Sequence, residues 1–129
     1  RGLGDVYKRQ LNDCGLDSDV INKKVGSYSK GMRQKVGIAI AFAKKAKVLL
    51  LDEPASGLDP LASTELSATL KSLAKKGTAV LMASHDIFRV RETCDRIGII
   101  KNGSLIDQMA TSKVTTNELE KIYIDYMRG

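Results

Sequence analysis

Asp52 and Glu53 stand side by side directly after the apolar run 48–51, in the segment KVLLLDEPASGLDP. A continuous apolar run of this kind is the pattern of a parallel strand buried on both faces. In open α/β sheets, ligands bind at the carboxyl ends of such strands. Two adjacent carboxylates there can divide the labour, one holding a metal ion that carries phosphate while the other polarises an attacking water. Asp52 is the candidate ligand for Mg²⁺, through water because Mg²⁺ sheds its hydration reluctantly. Glu53 is the candidate general base.

Three further groups fall where a nucleoside triphosphate could use them. Ser29-Lys30-Gly31-Met32 opens a helix, so the amides of Lys30, Gly31 and Met32, with the Ser29 hydroxyl, form a candidate anion site at the positive end of the helix dipole. Gly31 would let the backbone approach phosphate closely. Ser56-Gly57-Leu58-Asp59 follows the acidic pair as a turn, and His85 ends a second apolar strand, near the same sheet edge as Glu53. Each has a plainer reading. Ser29 serves as an N-cap, Gly57 serves a turn, and a histidine ending a strand serves as a cap or packing residue. Order and spacing together carry the signal.

The elements that must position these groups are legible. A helix starting after Ser29 places Met32, Val36, Ala39/Ile40 and Ala43 on one face at helical spacing. Lysines 44, 45 and 47 suit its carboxyl end. The strand 48–52 follows. Asp59-Pro60 is a cap followed by proline at the first helical position, Leu66, Leu70 and Leu73 line the helix it opens, and Gly77 ends it. A second apolar strand spans 78–83, and a helix runs from about Asp86 to Cys94. Residues 97–100 and 105–108 then flank Asn102-Gly103, the dipeptide of a tight hairpin turn. Thr115-x-x-Glu118 is a capping box for a last helix at 117–126, with Leu119, Ile122 and Tyr126 as its apolar stripe. Upstream, 11–15 reads as the end of a helix stopped by Gly15, Asp17 or Ser18 would cap a short helix at 19–24, and 26–31 is a turn-rich loop. The sum is an α/β layered fold with mainly parallel central strands plus a C-terminal hairpin and helix.

Composition narrows the class without naming a task. The chain has 129 residues, 43% hydrophobic and 28% charged, as expected of one domain at most. It shows no span-length apolar run and no signal peptide, so a cytoplasmic location is expected. Cys14 and Cys94 have no metal-ligand spacing and read as reduced thiols. The first ten residues, RGLGDVYKRQ, match the in-frame translation of a transposase adapter used in sequencing libraries, so 1–10 reads as a non-native scar. Arg1, Lys8 and Arg9 against Asp5 supply +2 of the formal net charge of +6. The remaining lysine pairs sit at element ends rather than in one stripe with aromatics, and nucleic-acid binding is not expected.

Taken together, these motifs resemble those of the ATP-binding cassette (ABC) ATPases. Tyr28 to Met32 looks like the signature loop, Val48 to Glu53 like Walker B, Ser56 to Asp59 like the D-loop, and His85 like the switch histidine. The resemblance covers Leu11 to about Gln108 and implies a P-loop NTPase-type fold. It implies that 11–129 is the C-terminal portion of such a domain. Asp52 would position Mg²⁺ and Glu53 would be the catalytic carboxylate. His85 would contact the γ-phosphate, Asp59 would communicate across a dimer, and Ser29 and Gly31 would contact ATP held by the opposite subunit. The implied partners are a second ABC ATPase subunit and integral membrane permease subunits. That would place the protein at the inner face of the cell membrane.

The sequence departs from the family pattern in two ways. The signature loop is usually Leu-Ser-Gly-Gly-Gln, whereas here it is Tyr28-Ser29-Lys30-Gly31-Met32, and Lys30 would add positive charge near the phosphates. With the following Arg33-Gln34-Lys35, this string looks like the bacterial exporter branch associated with ABC-2-type membrane subunits. The second departure is the phosphate loop, since no G-x-x-x-x-G-K-[ST] occurs. ATP would therefore not be held in cis by this chain alone, and an apolar strand edge would be left uncovered. ABC-type chromosome proteins and translation factors share the motifs. The former would need sustained heptads beside the signature loop, and the latter resemble Thr-Asn-His where this chain has Ala55-Ser56-Gly57.

Overall fold

The computed structural model describes residues 29–129 together with Arg9. The readings made for Tyr28, Cys14 and the segments 11–15, 17–24 and 26–28 lie outside the described residues. The chain divides into two compact units, Arg1–Ala83 and Ser84–Gly129.

In the first unit, α1 spans Lys30–Ala43. Ser29 is its N-cap with extended backbone, and its Oγ accepts from the Met32 N–H at 3.2 Å. The cap is reciprocal, because the Ser29 N–H donates to Met32 Sδ at 3.3 Å. The helix buries Ile38 and Ala39, while Ile40 is exposed. Of the expected face, Ala39 is buried and Met32, Val36 and Ala43 are half-buried, whereas Ile40 points out and Ile38, which was not expected, points in. The stretch GIAIAF is apolar on every side, so period alone could not choose its inner face, and contact with the sheet does.

Strand β1, Val48–Asp52, pairs in parallel with β2, Ala79–Ala83, in the register Val48↔Ala79 through Asp52↔Ala83. Between them runs α2, Pro60–Lys75, capped by Asp59, whose Oδ1 accepts from the Ala62 N–H at 2.7 Å. The helix stops at Lys76, and Gly77 takes φ +99, the left-handed turn that glycine enters without a Cβ clash. Leu66, Leu70 and Leu73 of α2 join Ile38 and Ala39 in one core, with Phe42, Leu49, Leu51, Val80 and Met82 packed against it. Each leucine so buried contributes about 1.5–3 kcal/mol relative to exposure.

One face of this sheet is thus covered by helices. The other is apolar and open, with Val48, Leu50 and Leu81 exposed at 58%, 70% and 68%. Among the described residues the sheet has two strands, each paired on one side only, and the expectation that strand 48–51 is buried on both faces is corrected: one of its faces is uncovered. Alternation along each strand explains this, since every second residue points away from α1 and α2.

The second unit is built from short local pieces. Helix α3, Ile87–Thr93, is capped by Asp86, whose Oδ1 accepts from the Arg89 N–H at 3.0 Å. Strands β3, Arg96–Lys101, and β4, Ser104–Ala110, form an antiparallel hairpin with an irregularity at Ile99/Ile100. Asn102 at φ +50 and Gly103 at φ +77 supply the two positive angles of its turn. A single 3-10 turn, Thr111–Lys113, leads to α4, Thr116–Arg128, which opens with the Thr115/Glu118 capping box. Ile97, Ile99 and Leu119 are the buried apolar side chains among the described residues of this unit. Ile122 is half-buried and Tyr126 stays partly exposed, its hydroxyl donating to Asp107 Oδ2 at 3.0 Å. That bond holds the Tyr126 phenol above its usual range. Arg91 Nε ties α3 to the turn before α4 through Val114 O at 2.7 Å. Cys94 is a free, half-buried thiol, pushed up first by burial and then by neighbouring Asp95. Among the described residues, no helix is long and apolar enough to cross a membrane.

Candidate functional site

Parallel pairing delivers the acidic pair. Asp52 closes β1 opposite Ala83, and the ladder runs one residue further, where the Glu53 N–H donates to Ala83 O at 2.8 Å. There the chain turns sharply, with Glu53 at φ +46. A non-glycine residue in that region costs about 1–3 kcal/mol and persists only where neighbours enforce it. The Ser56 N–H closes the turn onto Glu53 O at 3.1 Å, and Leu58 N–H closes the next onto Ala55 O at 3.1 Å. Gly57 sits at φ +72 between them. Asp59 then caps α2, so the segment 53–59 is one continuous structured turn between strand and helix.

Asp52 is exposed, on the same open face as Val48 and Leu50, whereas Glu53 is half-buried. Among the described residues, no group of three or more His, Cys, Asp or Glu could hold a metal by itself. A single carboxylate oxygen set is nonetheless what Mg²⁺ uses when water and substrate phosphates supply the remaining ligands. The donor chemistry of Asp52 fits that ion.

The helix-start group lies beside the turn. A cleft of about 220 Å³ is lined by residues of both, among them Ser29, Gly31, Gln34, Leu58, Asp59 and Ala62. Across it Lys35 Nζ pairs with Glu65 Oε2 at 2.9 Å. The Met32 amide is already taken by Ser29 Oγ, so of the three expected amide donors those of Lys30 and Gly31 remain without an intrahelical acceptor. The Lys30 side chain lies along the turn, since a Cβ built on Gly57 would come 3.4 Å from Lys30 Nζ and 3.6 Å from its Cδ. A Cβ on Gly31 would meet Leu58 and Ala62 only at ordinary contact distance, so packing inside the chain does not demand glycine there.

The structure therefore brings Ser29, Lys30, Gly31 and Met32 together with the turn that ends at Asp59. It places Asp52 and Glu53 at the head of that turn. His85 is exposed and belongs to the second unit, just before Asp86, whose N–H bonds Ser84 Oγ at 3.1 Å. Sequence reasoning missed Gln34, whose side-chain amide donates to Pro54 O at 3.0 Å, and the Lys35–Glu65 pair. Polar residues in the second turn of a helix read as solvent-facing, and no periodicity signal separates them from residues that reach a neighbouring turn.

Known proteins of similar sequence and fold share one family. The sequence profile described as "ABC transporter" matches residues 5–56. The "Uncharacterized ABC transporter ATP-binding protein YhcH" of Bacillus subtilis is 45% identical over 112 residues, covering 83% of this chain and 36% of that protein. Among solved structures, cbiO1 from Clostridium perfringens, part of the ABC transporter complex cbiONQ, superposes with TM-score 0.78 at 31% identity, covering 97% of this chain and 49% of that one. The ATP-binding cassette MJ0796, in a dimeric post-hydrolysis state bound to ADP and Pi, superposes with TM-score 0.72 at 28% identity, covering 83% and 46%. The chain thus spans between about a third and a half of the length of these relatives. The chain belongs to the ABC transporter ATPase family, with the fold of its nucleotide-binding cassette.

Proposed function

We propose that this chain is the C-terminal portion, residues 11–129, of an ATP-binding and ATP-hydrolysing ABC transporter subunit, with residues 1–10 derived from an adapter. The whole protein would drive export across a membrane by dimerising around ATP, joined to integral membrane permease subunits at the inner face of the cell membrane. The signature string points to the ABC-2-type exporter branch. The observation that carries this reading is the Asp52-Glu53 pair at the end of a parallel strand, with Glu53 held at φ +46 by backbone bonds on both sides.

In this reading Glu53 accepts the proton of the attacking water, and its enforced backbone fixes where the carboxylate can stand. Asp52 would hold Mg²⁺, which when bound neutralises charge developing on the phosphates. The Ser29, Lys30, Gly31 and Met32 edge would meet ATP held by the opposite subunit, with Lys30 adding charge. Asp59, through the turn it ends, would communicate across the dimer. His85 would contact the γ-phosphate. A role on nucleic acid or the ribosome is not favoured, because the relatives named above are transporter components.

The experiment is Glu53→Gln in the full-length protein. Loss of a general base costs about 10²–10⁴ in rate. Steady-state turnover should fall by that order while ATP binding, read by equilibrium titration, is retained. Hydrolysis at the wild-type rate would remove Glu53 from the base role.

A further inference from the structure

Glu53 precedes Pro54, and a residue before proline ordinarily adopts extended backbone. Its φ of +46 is therefore a conformation the local sequence resists. Two backbone bonds, to Ala83 O and from Ser56 N–H, hold it from either side. A third restraint comes from a side chain. Pro54 is almost completely buried, and its carbonyl receives the Gln34 amide at 3.0 Å. A buried carbonyl left without a donor costs about 1–3 kcal/mol, so this bond resists any shift of the peptide that follows Pro54, and the proline ring, which fixes its own φ, passes that restraint back to Glu53.

Gln34 lies on α1, one turn past the Ser29 cap, and its neighbour Lys35 pins α1 to α2 through Glu65. The amide therefore ties the far side of Pro54, the residue after Glu53, to a helix that is itself anchored in the core. We infer that Gln34 is a positioning residue for hydrolysis: through Pro54 it keeps Glu53 in the left-handed conformation that sets its carboxylate. This rests on the proposed role of Glu53 as base. Gln34 touches no reacting atom and acts through the turn.

The test uses the full-length protein with Gln34→Met, which keeps length but removes the donor, and Gln34→Glu, which keeps size and polarity. Gln34→Lys restores a donor, and Glu53→Gln is run alongside. Misplacement by about 1 Å costs on the order of 100-fold in rate. Both donor-less variants should lose roughly 10- to 100-fold in kcat with KM for ATP little changed, and Gln34→Lys should recover most of it. Hydrogen exchange at the Ser56 amide should quicken in the same two variants, while the α2 core around Leu70 stays protected. Wild-type kcat in Gln34→Met beside an inactive Glu53→Gln would overturn the positioning role and leave the base intact. Turnover in Glu53→Gln would instead sink the base reading. Ser56 exchange then still decides whether Gln34 holds the turn, and unchanged exchange would overturn that too. A fall in kcat that Gln34→Lys does not rescue would assign the loss to packing and refute the hydrogen-bond argument.

Discussion

The two units solve the same problem of burying short segments by different means. The first joins elements distant in sequence: Ile38 and Ala39 of α1 meet Leu66, Leu70 and Leu73 of α2 over a parallel pair whose partners are 31 positions apart, as in Val48↔Ala79. The second relies on neighbours, with a two-residue turn, an aspartate cap on α3 and a capping box on α4. Its buried apolar side chains are Ile97, Ile99 and Leu119. The acidic pair and the signature-like loop sit on the unit made by long-range contacts. Placing groups from 29–34 beside 53–59 requires a packed core, which local turns cannot supply.

That contrast makes quantitative expectations. The largest effect should come from Leu70→Ala, which opens a cavity in the shared core of the first unit and should cost about 3–4 kcal/mol. Leu119→Ala, at a residue outside that core cluster, should cost nearer 2 kcal/mol. Urea unfolding of both variants compares them directly, and equal losses would break the distinction. Caps come next. Asp59→Ala should cost about 1 kcal/mol because α2 carries the core, whereas Thr115→Ala should fray only the start of α4, at about 0.5 kcal/mol. Amide exchange separates a global loss from a local one.

The smallest effect is electrostatic. The Thr115 N–H donates to Glu118 Oε2 at 2.7 Å, and that backbone bond, with the Thr115 hydroxyl, holds the Glu118 carboxyl below its ordinary range. A lowered folded-state pKa means the contribution is present at neutral pH and is lost as pH falls through the folded value. Acid titration should move the Thr115 amide resonance without disturbing the first unit, and Glu118→Ala should abolish the transition. A concerted change at Leu70 would show that the two units are not independent in this respect.

Much of this is legible in the sequence. Asp59-Pro60, Asn102-Gly103 and Thr115-x-x-Glu118 are local signals, each satisfied within a few residues, and each marks an element boundary in the structure. The strand 48–52 and the leucine face of α2 were legible because apolar patterning is strong there. The inner face of α1 was legible only in part: Ala39 is buried as expected, but an alternating Ala/Ile stretch offers several equivalent stripes, and only packing selects Ile38 over Ile40. Within the site, the left-handed Glu53 and the bond from Gln34 were invisible. Both follow from where α1 lies against the turn, and no spacing rule encodes a contact across 20 positions.

The open sheet face has one further consequence. Because side chains alternate along β1, Asp52 shares its side with Val48 and Leu50. Any segment of a longer protein that shields those two residues from water lies on the side of the sheet that carries the Asp52 carboxylate. If Asp52 holds the metal as proposed, completing the apolar interior and binding a phosphate-bearing ligand beside that acid would be thermodynamically linked. By linkage, a nucleotide that binds only the completed state raises its melting temperature in proportion to the logarithm of its concentration over its dissociation constant.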